Sequence, residues 1–113
     1  MPEPIRHQLV EFDLLHASLW YDGQQPGLGA RFDAEAMDAL HRLARNPLHY
    51  AIRFDDIRRV NLDSFQHGIF YFIHDDTIVI LGVLHGARDK LEELARRRRM
   101  TREKLVRFHQ KFR

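Results

Sequence analysis

Cysteine is absent from this chain of 113 residues. Its absence excludes a disulfide framework, a zinc site built from thiolates and a cysteine nucleophile. Long apolar runs are missing as well, because the longest, Ile78–Leu84, is far shorter than the roughly 20 residues that cross a bilayer. The N-terminal sequence MPEPIRHQLVEFD contains acidic residues and lacks the apolar stretch of a signal peptide. We therefore expect a soluble, cytoplasmic protein that does not enter a membrane.

The net charge is small, at +2, but it is unevenly distributed. Residues 88–113 contain 11 Lys and Arg against 4 Asp and Glu, whereas residues 1–87 contain 7 against 12. A basic segment attached to an acidic body favours an anionic partner. The alternative is a solvated terminal helix. The length itself is that of one domain with a single core.

Two helices are predicted in the N-terminal half. Residues 5–22 have apolar side chains at helical spacing on two stripes. Gly23 and the linker 24–29 have the composition of a turn. Residues 28–45 form the second predicted helix, which Asn46-Pro47 ends because a residue before proline is disfavoured in the helical region. The short linker predicts an antiparallel helical hairpin.

Strand patterns follow in the second half. They are predicted at Ala51–Phe54, Ile57–Phe65, Ile69–His74 and Thr77–His85. The pair Asp75-Asp76 lies between the last two and indicates a hairpin turn. Because every connection is short, we expect an antiparallel sheet of three or four strands. The predicted fold class is α+β, with the helical hairpin packed on this sheet and a basic helical segment following it.

The strands between residues 69 and 85 are apolar on both faces and therefore require cover on both. The helical hairpin covers one face. The other is covered by the C-terminal segment or by a partner, or else it is an exposed apolar patch. The C-terminal segment itself predicts one or two helices, with Thr101 as the N-cap of the second.

Two stretches carry a family resemblance. They are WYDGQQPGLGARFDAEAMDALHRLARNP (20–47) and FQHGIFYFIHDDTIVILGVLHGARD (65–89). Together they resemble the RelE/ParE toxin superfamily of type II toxin–antitoxin systems, most closely its ParE-like plasmid-stabilisation branch, over roughly residues 5–90. We accordingly expect a RelE/ParE-like toxin domain at 1–90, and a basic helical extension of the same domain at 91–113.

The resemblance implies a bacterial toxin that a cognate antitoxin neutralises. ParE-type relatives poison DNA gyrase without chemistry, and we expect this chain to act by binding, with gyrase as the first candidate target. One alternative is a RelE-like endoribonuclease that cleaves mRNA in the ribosome. Another is a non-toxic relative or a basic nucleic-acid-binding module. No cofactor is implied, and a homodimer is expected when the antitoxin is absent.

Three departures from the family pattern stand out. The helix predicted from residue 5 leaves only residues 1–4 for the first strand that relatives have, so that strand is expected to be lost or to lie upstream. Gly68 stands where ribosome-dependent relatives have an arginine that stabilises the cleaved phosphate, which favours binding over cleavage. The basic tail after residue 90 is longer than the family core.

Candidate catalytic residues lie near the end of the last strand. His85 and Arg88 there, with Arg59 from an earlier strand, would supply the imidazole and the guanidinium groups of an RNA-cleaving site. The alternative for the HGARD string is a strand-exit turn with a surface Arg–Asp pair.

Candidate residues for binding the target or antitoxin are all arginines: Arg58, Arg59, Arg88, Arg96, Arg97, Arg98 and Arg99. Guanidinium groups suit phosphate or carboxylate partners. The alternatives are a solvated sheet face with cross-strand ion pairs for the first two, and a solubilising helix face for the last four. The histidines lack metal-ligand spacing, so no metal site is expected. Trp20 and Tyr21 are expected to pack against the hairpin linker.

Overall fold

Helices cover both faces of a five-stranded sheet. The computed structural model describes residues 4–86 and 90–111, with side chains described as far as Thr101. The elements are β1 (Ile5–Arg6), α1 (Val10–Gln24), α2 (Leu28–Arg45), β2 (Ile52–Phe54), β3 (Ile57–Asn61), β4 (His67–His74), β5 (Thr77–His85) and α3 (Leu91–Lys111). The strand order is β1-β5-β4-β3-β2.

The predicted α+β architecture is confirmed. Helix α2 has the limits that the sequence predicted, and β2 to β5 pair in the predicted antiparallel order. The third and fourth strands differ in their bounds from the prediction, because β3 ends at Asn61 rather than Phe65 and β4 begins at His67 rather than Ile69. The turn between β4 and β5 has positive φ at both of its residues, 47° at Asp75 and 64° at Asp76. This left-handed pair matches the twist of the flanking strands, and aspartate tolerates it better than most residues do.

The expectation of a missing first strand is wrong. Ile5 and Arg6 form β1, which pairs in parallel with Val79 and Ile80 of β5, so the sheet is not wholly antiparallel. The His7 N–H continues this pairing by donating to the Ile80 carbonyl at 2.8 Å. Helix α1 therefore begins at Val10 rather than at residue 5. The buried edge of β5 needs hydrogen-bond partners, and this tertiary requirement overrides the helical pattern of the first residues.

Each face of the sheet has its own apolar cluster. The face that contacts α1 and α2, called here the hairpin face, includes Val60, Ile69, Tyr71, Ile78 and Ile80. The opposite face, called here the α3 face, is a separate cluster of Ile57, Phe70, Phe72, Val79, Leu81 and Leu94. Leu94 is the contribution of α3, so the C-terminal segment provides the second cover that the sequence required.

The C-terminal segment is one helix from Leu91 to Lys111. The expectation that Thr101 caps a second helix is wrong. Its hydroxyl instead donates to the Arg97 carbonyl, four residues earlier, at 2.8 Å. A threonine inside a helix commonly satisfies its hydroxyl in this way, and here the helix continues through it.

Candidate functional site

A cleft of about 590 Å³ lies between α1 and the start of α3. Phe12, His16 and Trp20 of α1 form one wall. Lys90, directly before α3, and Glu93, in its first turn, line the opposite side, and the end of β5 lies between the two walls. The cleft therefore lies where three elements meet, each from a different part of the chain.

The wall formed by α1 belongs to a larger apolar surface. Four large side chains on its solvent side are more than half exposed: Phe12 at 62%, Leu15 at 59%, Leu19 at 65% and Trp20 at 53%. Their spacing places them, with His16, on one side of the helix. This surface, called here the outer stripe, is apolar although α1 buries a second apolar face that includes Val10 and Ala17. Exposed apolar surface of this kind is typical of interaction sites.

A buried ion pair forms the floor of the cleft. Arg97 Nη1 and Nη2 donate to Asp13 Oδ2 and Oδ1 at 2.6 and 3.2 Å. The pair also satisfies the backbone of β5, because Arg97 Nη1 donates to the Leu81 carbonyl at 3.0 Å and Asp13 Oδ2 accepts the Val83 N–H at 3.0 Å. The short strand β1 leaves this part of β5 without a neighbouring strand, and the ion pair takes its place.

The ion pair also depends on Glu93 and Gly82. Glu93 Oε1 accepts a hydrogen bond from Arg97 Nε at 2.8 Å. Burial lowers the pKa of the Arg97 guanidinium, but the hydrogen bonds to Asp13 and Glu93 outweigh it and leave that pKa above its ordinary value. A Cβ atom at Gly82 would lie 2.7 Å from Arg97 Nη1, so only glycine leaves room for the guanidinium at this point.

A tyrosine–histidine pair lies beside the cleft, which His67 lines. The Tyr21 hydroxyl is 2.9 Å from Nδ1 of His67, and both side chains are buried. Burial, and then the nearby His85, lowers the pKa of His67 to about 4, whereas burial raises the pKa of Tyr21. At neutral pH the protonated phenol can thus donate to the uncharged imidazole. His85 is exposed, and its ring centroid is 5.3 Å from that of His67.

Two of the predicted catalytic residues, His85 and Arg59, lie on opposite faces of the sheet. His85 contacts His67, which packs against Tyr21 and Phe32 on the hairpin face. Arg59 lies on the α3 face, with its guanidinium carbon 5.1 Å from the centre of the Phe70 ring. Arg88 lies outside the described residues.

The predicted binding arginines have different environments. Arg58 donates to the backbone carbonyls of Leu48 and Tyr50, so it ties β3 to the loop after α2. Arg96 is exposed and pairs with Glu93 at 2.7 Å. Arg97 is the buried partner of Asp13 and is only 5% exposed.

The remaining two arginines lie farther along α3. Arg98 pairs with Asp56 at 2.7 Å and stacks 3.7 Å above the Phe72 ring. Arg99 is exposed beside a second hollow that Asp55 and Ala95 also line.

Trp20 and Tyr21, which were both expected to pack against the hairpin linker, differ in burial. Tyr21 is buried against Phe32 and Phe65, close to the expected packing role. Trp20 is half exposed and borders the cleft. Within residues 4–86 and 90–101, no three His, Asp or Glu side chains are placed to hold a metal ion. None of the described helices is both long and apolar enough to cross a membrane.

Sequence reasoning missed the ion pair, although a signal was present. Asp13 occupies the buried stripe of α1, between Val10 and Ala17. Arg97 follows Leu94 at helical spacing on the buried side of α3. A charge within an apolar stripe indicates a buried partner of opposite sign, and these two charges satisfy each other.

Comparison with known proteins gives one family. The model described as the ParE toxin of the type II toxin–antitoxin system, parDE, matches residues 5–90. A search of curated proteins gives no significant match.

Proposed function

Because the chain belongs to the ParE toxin family of type II toxin–antitoxin systems, we propose that it arrests growth by binding DNA gyrase and that its antitoxin blocks it by occupying the α1–α3 cleft. Family membership supplies the toxin role and a cognate antitoxin. The observation that carries the docking proposal is the outer stripe of α1, which remains apolar and exposed beside the cleft.

The bound segment of the antitoxin is expected to be an amphipathic helix. The edge of β5 in the cleft has few free backbone groups for pairing with an added strand. The Leu81 carbonyl already accepts a hydrogen bond from Arg97, and the Val83 N–H already donates one to Asp13. The outer stripe instead offers side chains at positions 12, 15, 16, 19 and 20, which is the spacing that a helix in a groove contacts. Lys90 on the far side of the cleft favours an acidic residue on the partner helix.

Truncating side chains of the outer stripe is expected to leave the chain toxic but to prevent its neutralisation by the antitoxin. In the variant Phe12→Ala/Leu19→Ala, both changes remove exposed apolar area and leave the core intact. Affinity for the antitoxin should fall by about tenfold or more, because central apolar anchors carry most of the energy of such an interface. The measurement is growth of cells that express the variant with and without the antitoxin, together with titration of the purified pair.

Leu48→Ala is the matched control. Leu48 is 69% exposed, but it follows α2 and lies outside the cleft. The control should remain toxic alone and harmless with the antitoxin, whereas the double variant should remain toxic in both cases. Full rescue of the double variant would contradict the docking site. Loss of its toxicity without antitoxin would place the target, rather than the antitoxin, on the outer stripe.

Binding rather than cleavage is favoured by the separation of the candidate catalytic groups. His85 lies on the hairpin side of the sheet and Arg59 on the α3 face, so the two side chains belong to different faces, although the charge of Arg59 contributes to the lowered pKa of His67. General acid–base catalysis requires both within hydrogen-bond reach of one substrate.

Pulse-labelling after induced expression tests the target. We expect DNA synthesis to stop before protein synthesis, and we expect His85→Ala to arrest DNA synthesis as the wild type does. The complementary assay is inhibition of supercoiling by purified gyrase. If translation stops first and His85→Ala is harmless, the chain is an endoribonuclease and the gyrase proposal is wrong.

A further inference from the structure

Arg59 is held in a fixed position on the α3 face. Its side chain lies across Gly68 of the neighbouring strand, where a Cβ atom would come within 2.3 Å of the guanidinium Nε. The guanidinium also lies over the Phe70 ring. Gly68 and Phe70 are alternate residues of β4, so the arginine rests on one continuous strip of that strand. Such packing restricts the rotamers of a side chain that is otherwise flexible.

The charge of Arg59 has no counter-ion in the described part of the chain. Its Nε is buried and has no hydrogen-bond partner, and no described carboxylate forms an ion pair with it. Burial, and then the charge of Arg53, lowers the pKa of Arg59. The guanidinium is therefore partly desolvated and repelled by a like charge, which is unfavourable unless an anion binds.

The neighbouring Arg98 has a similar position but, unlike Arg59, has a described counter-ion. It stacks on Phe72, two residues along β4 on the same face. Asp56 neutralises it through two hydrogen bonds of 3.1 and 2.7 Å. Arg59 has the same kind of aromatic support, but among the described residues it has no such carboxylate. Arginines with support and no counter-ion are positioned to receive an oxyanion from outside the molecule.

We propose that Arg59, with Arg53 beside it, binds a backbone phosphate of a nucleic acid strand. Helix α3 packs on this same face, and residues 90–101, at its start, contain five Lys and Arg against two Glu. The hairpin on the opposite face is acidic, with Glu11, Asp13, Asp22, Asp33, Glu35 and Asp38 against Arg31, Arg42 and Arg45. A polyanion is therefore steered to the α3 face. Asp55 and Asp56, at the β2–β3 turn, lie beside α3, and Asp56 is engaged by Arg98.

A strand of several phosphates fits this arrangement better than a lone carboxylate. Arg59 would contact one phosphate while the exposed side chain of Arg99 attracts another. Such contacts are independent of base sequence. This site is separate from the α1–α3 cleft, and it does not require the antitoxin proposal to hold.

Fluorescence anisotropy of a labelled oligouridylate tests the proposal. The probe is a single strand of about twelve nucleotides, within the usual range for one binding domain, titrated with the purified full chain at several salt concentrations. Arg59→Gln should weaken binding by about tenfold and reduce the salt slope by about one phosphate contact. Arg45→Gln removes the same charge from the C-terminal end of α2, on the acidic hairpin, and should bind nearly as the wild type does.

Gly68→Ala tests whether the position of the Arg59 side chain, and not only its charge, matters for binding. It leaves the net charge unchanged, but the new Cβ displaces the Arg59 guanidinium from its support. We expect it to weaken binding nearly as much as Arg59→Gln does, with folding checked by circular dichroism. If Arg59→Gln binds as tightly as Arg45→Gln, the proposal is wrong whatever Gly68→Ala does. If polyglutamate of equal charge displaces the probe as well as unlabelled oligouridylate does, the site serves carboxylates and the nucleic-acid proposal is also wrong.

Discussion

Replacing Arg97 with methionine is expected to lower the free energy of unfolding by about 3–5 kcal/mol, because it leaves the buried Asp13 carboxylate without its counter-ion. The side chains of Arg97 and Asp13 are only 6% and 4% exposed, so water cannot replace the lost partner. The substitution also leaves the Leu81 carbonyl without its donor. Methionine retains the apolar volume, and the effect therefore reports charge and hydrogen bonding rather than packing. Urea unfolding at neutral pH measures it.

Two companion variants separate the possible causes. Arg96→Met removes the adjacent, exposed arginine and its surface pair with Glu93, and should change stability by less than about 1 kcal/mol. Asp13→Asn combined with Arg97→Met removes both charges and keeps an acceptor for the Val83 N–H. This double variant should recover a large part of the loss. A stability of Arg97→Met close to that of Arg96→Met would mean that the ion pair does not hold α3 to α1.

Acid is expected to destabilise the chain through His67. The pKa of His67 is about 4 in the folded chain and about 6.5 in an unfolded one. Between these values the unfolded state binds a proton that the folded state does not, so stability falls as the pH drops from 7 towards 4. The contribution of this residue by pH 4.5 is about 2–3 kcal/mol.

The variant His67→Gln removes this titration and keeps a polar partner for the Tyr21 hydroxyl. Unfolding by urea at pH 7 and at pH 4.5 should show a smaller acid loss for this variant than for the wild type, by about 2–3 kcal/mol. His41→Gln removes an exposed imidazole on α2 and serves as the control. Equal acid losses for wild type and His67→Gln would show that the imidazole is already protonated in the folded chain at these pH values.

The ion pair and the cleft belong to one arrangement. Arg97 holds α3 close to β5, and α3 places Lys90 and Glu93 opposite the outer stripe of α1. The same helix brings Leu94 onto Phe70 and Phe72. Disruption of the ion pair is therefore expected to loosen both the antitoxin cleft and the α3 face. Measurements of binding by Arg97 variants must be compared at matched stability for this reason.

The candidate site was only partly visible in the sequence. Arg59 and His85 were predicted from their residue types and strand positions, but their locations on opposite sides of the sheet follow from register and packing. Four consecutive arginines look alike as a string. In the helix, their angular positions make Arg97 a buried structural residue, Arg98 a partner of Asp56 and Phe72, and Arg96 and Arg99 exposed.

Local chemistry determined the parts of the fold whose signals lie within a few residues. These include the limits of α2, the Asp75-Asp76 turn and the four antiparallel strands. The family was also visible in the sequence, because its strings span two contiguous stretches.

Only the tertiary structure decided the features that join distant segments. Strand β1 forms because β5 needs a neighbour, Asp13 and Arg97 pair across 84 positions, and Arg59 lies across Gly68, where a Cβ would displace it. Each depends on a contact that no local pattern specifies. The exposure of the outer stripe has the same origin, since both sides of α1 are apolar and the packing of α2, β5 and α3 decides which one remains in water.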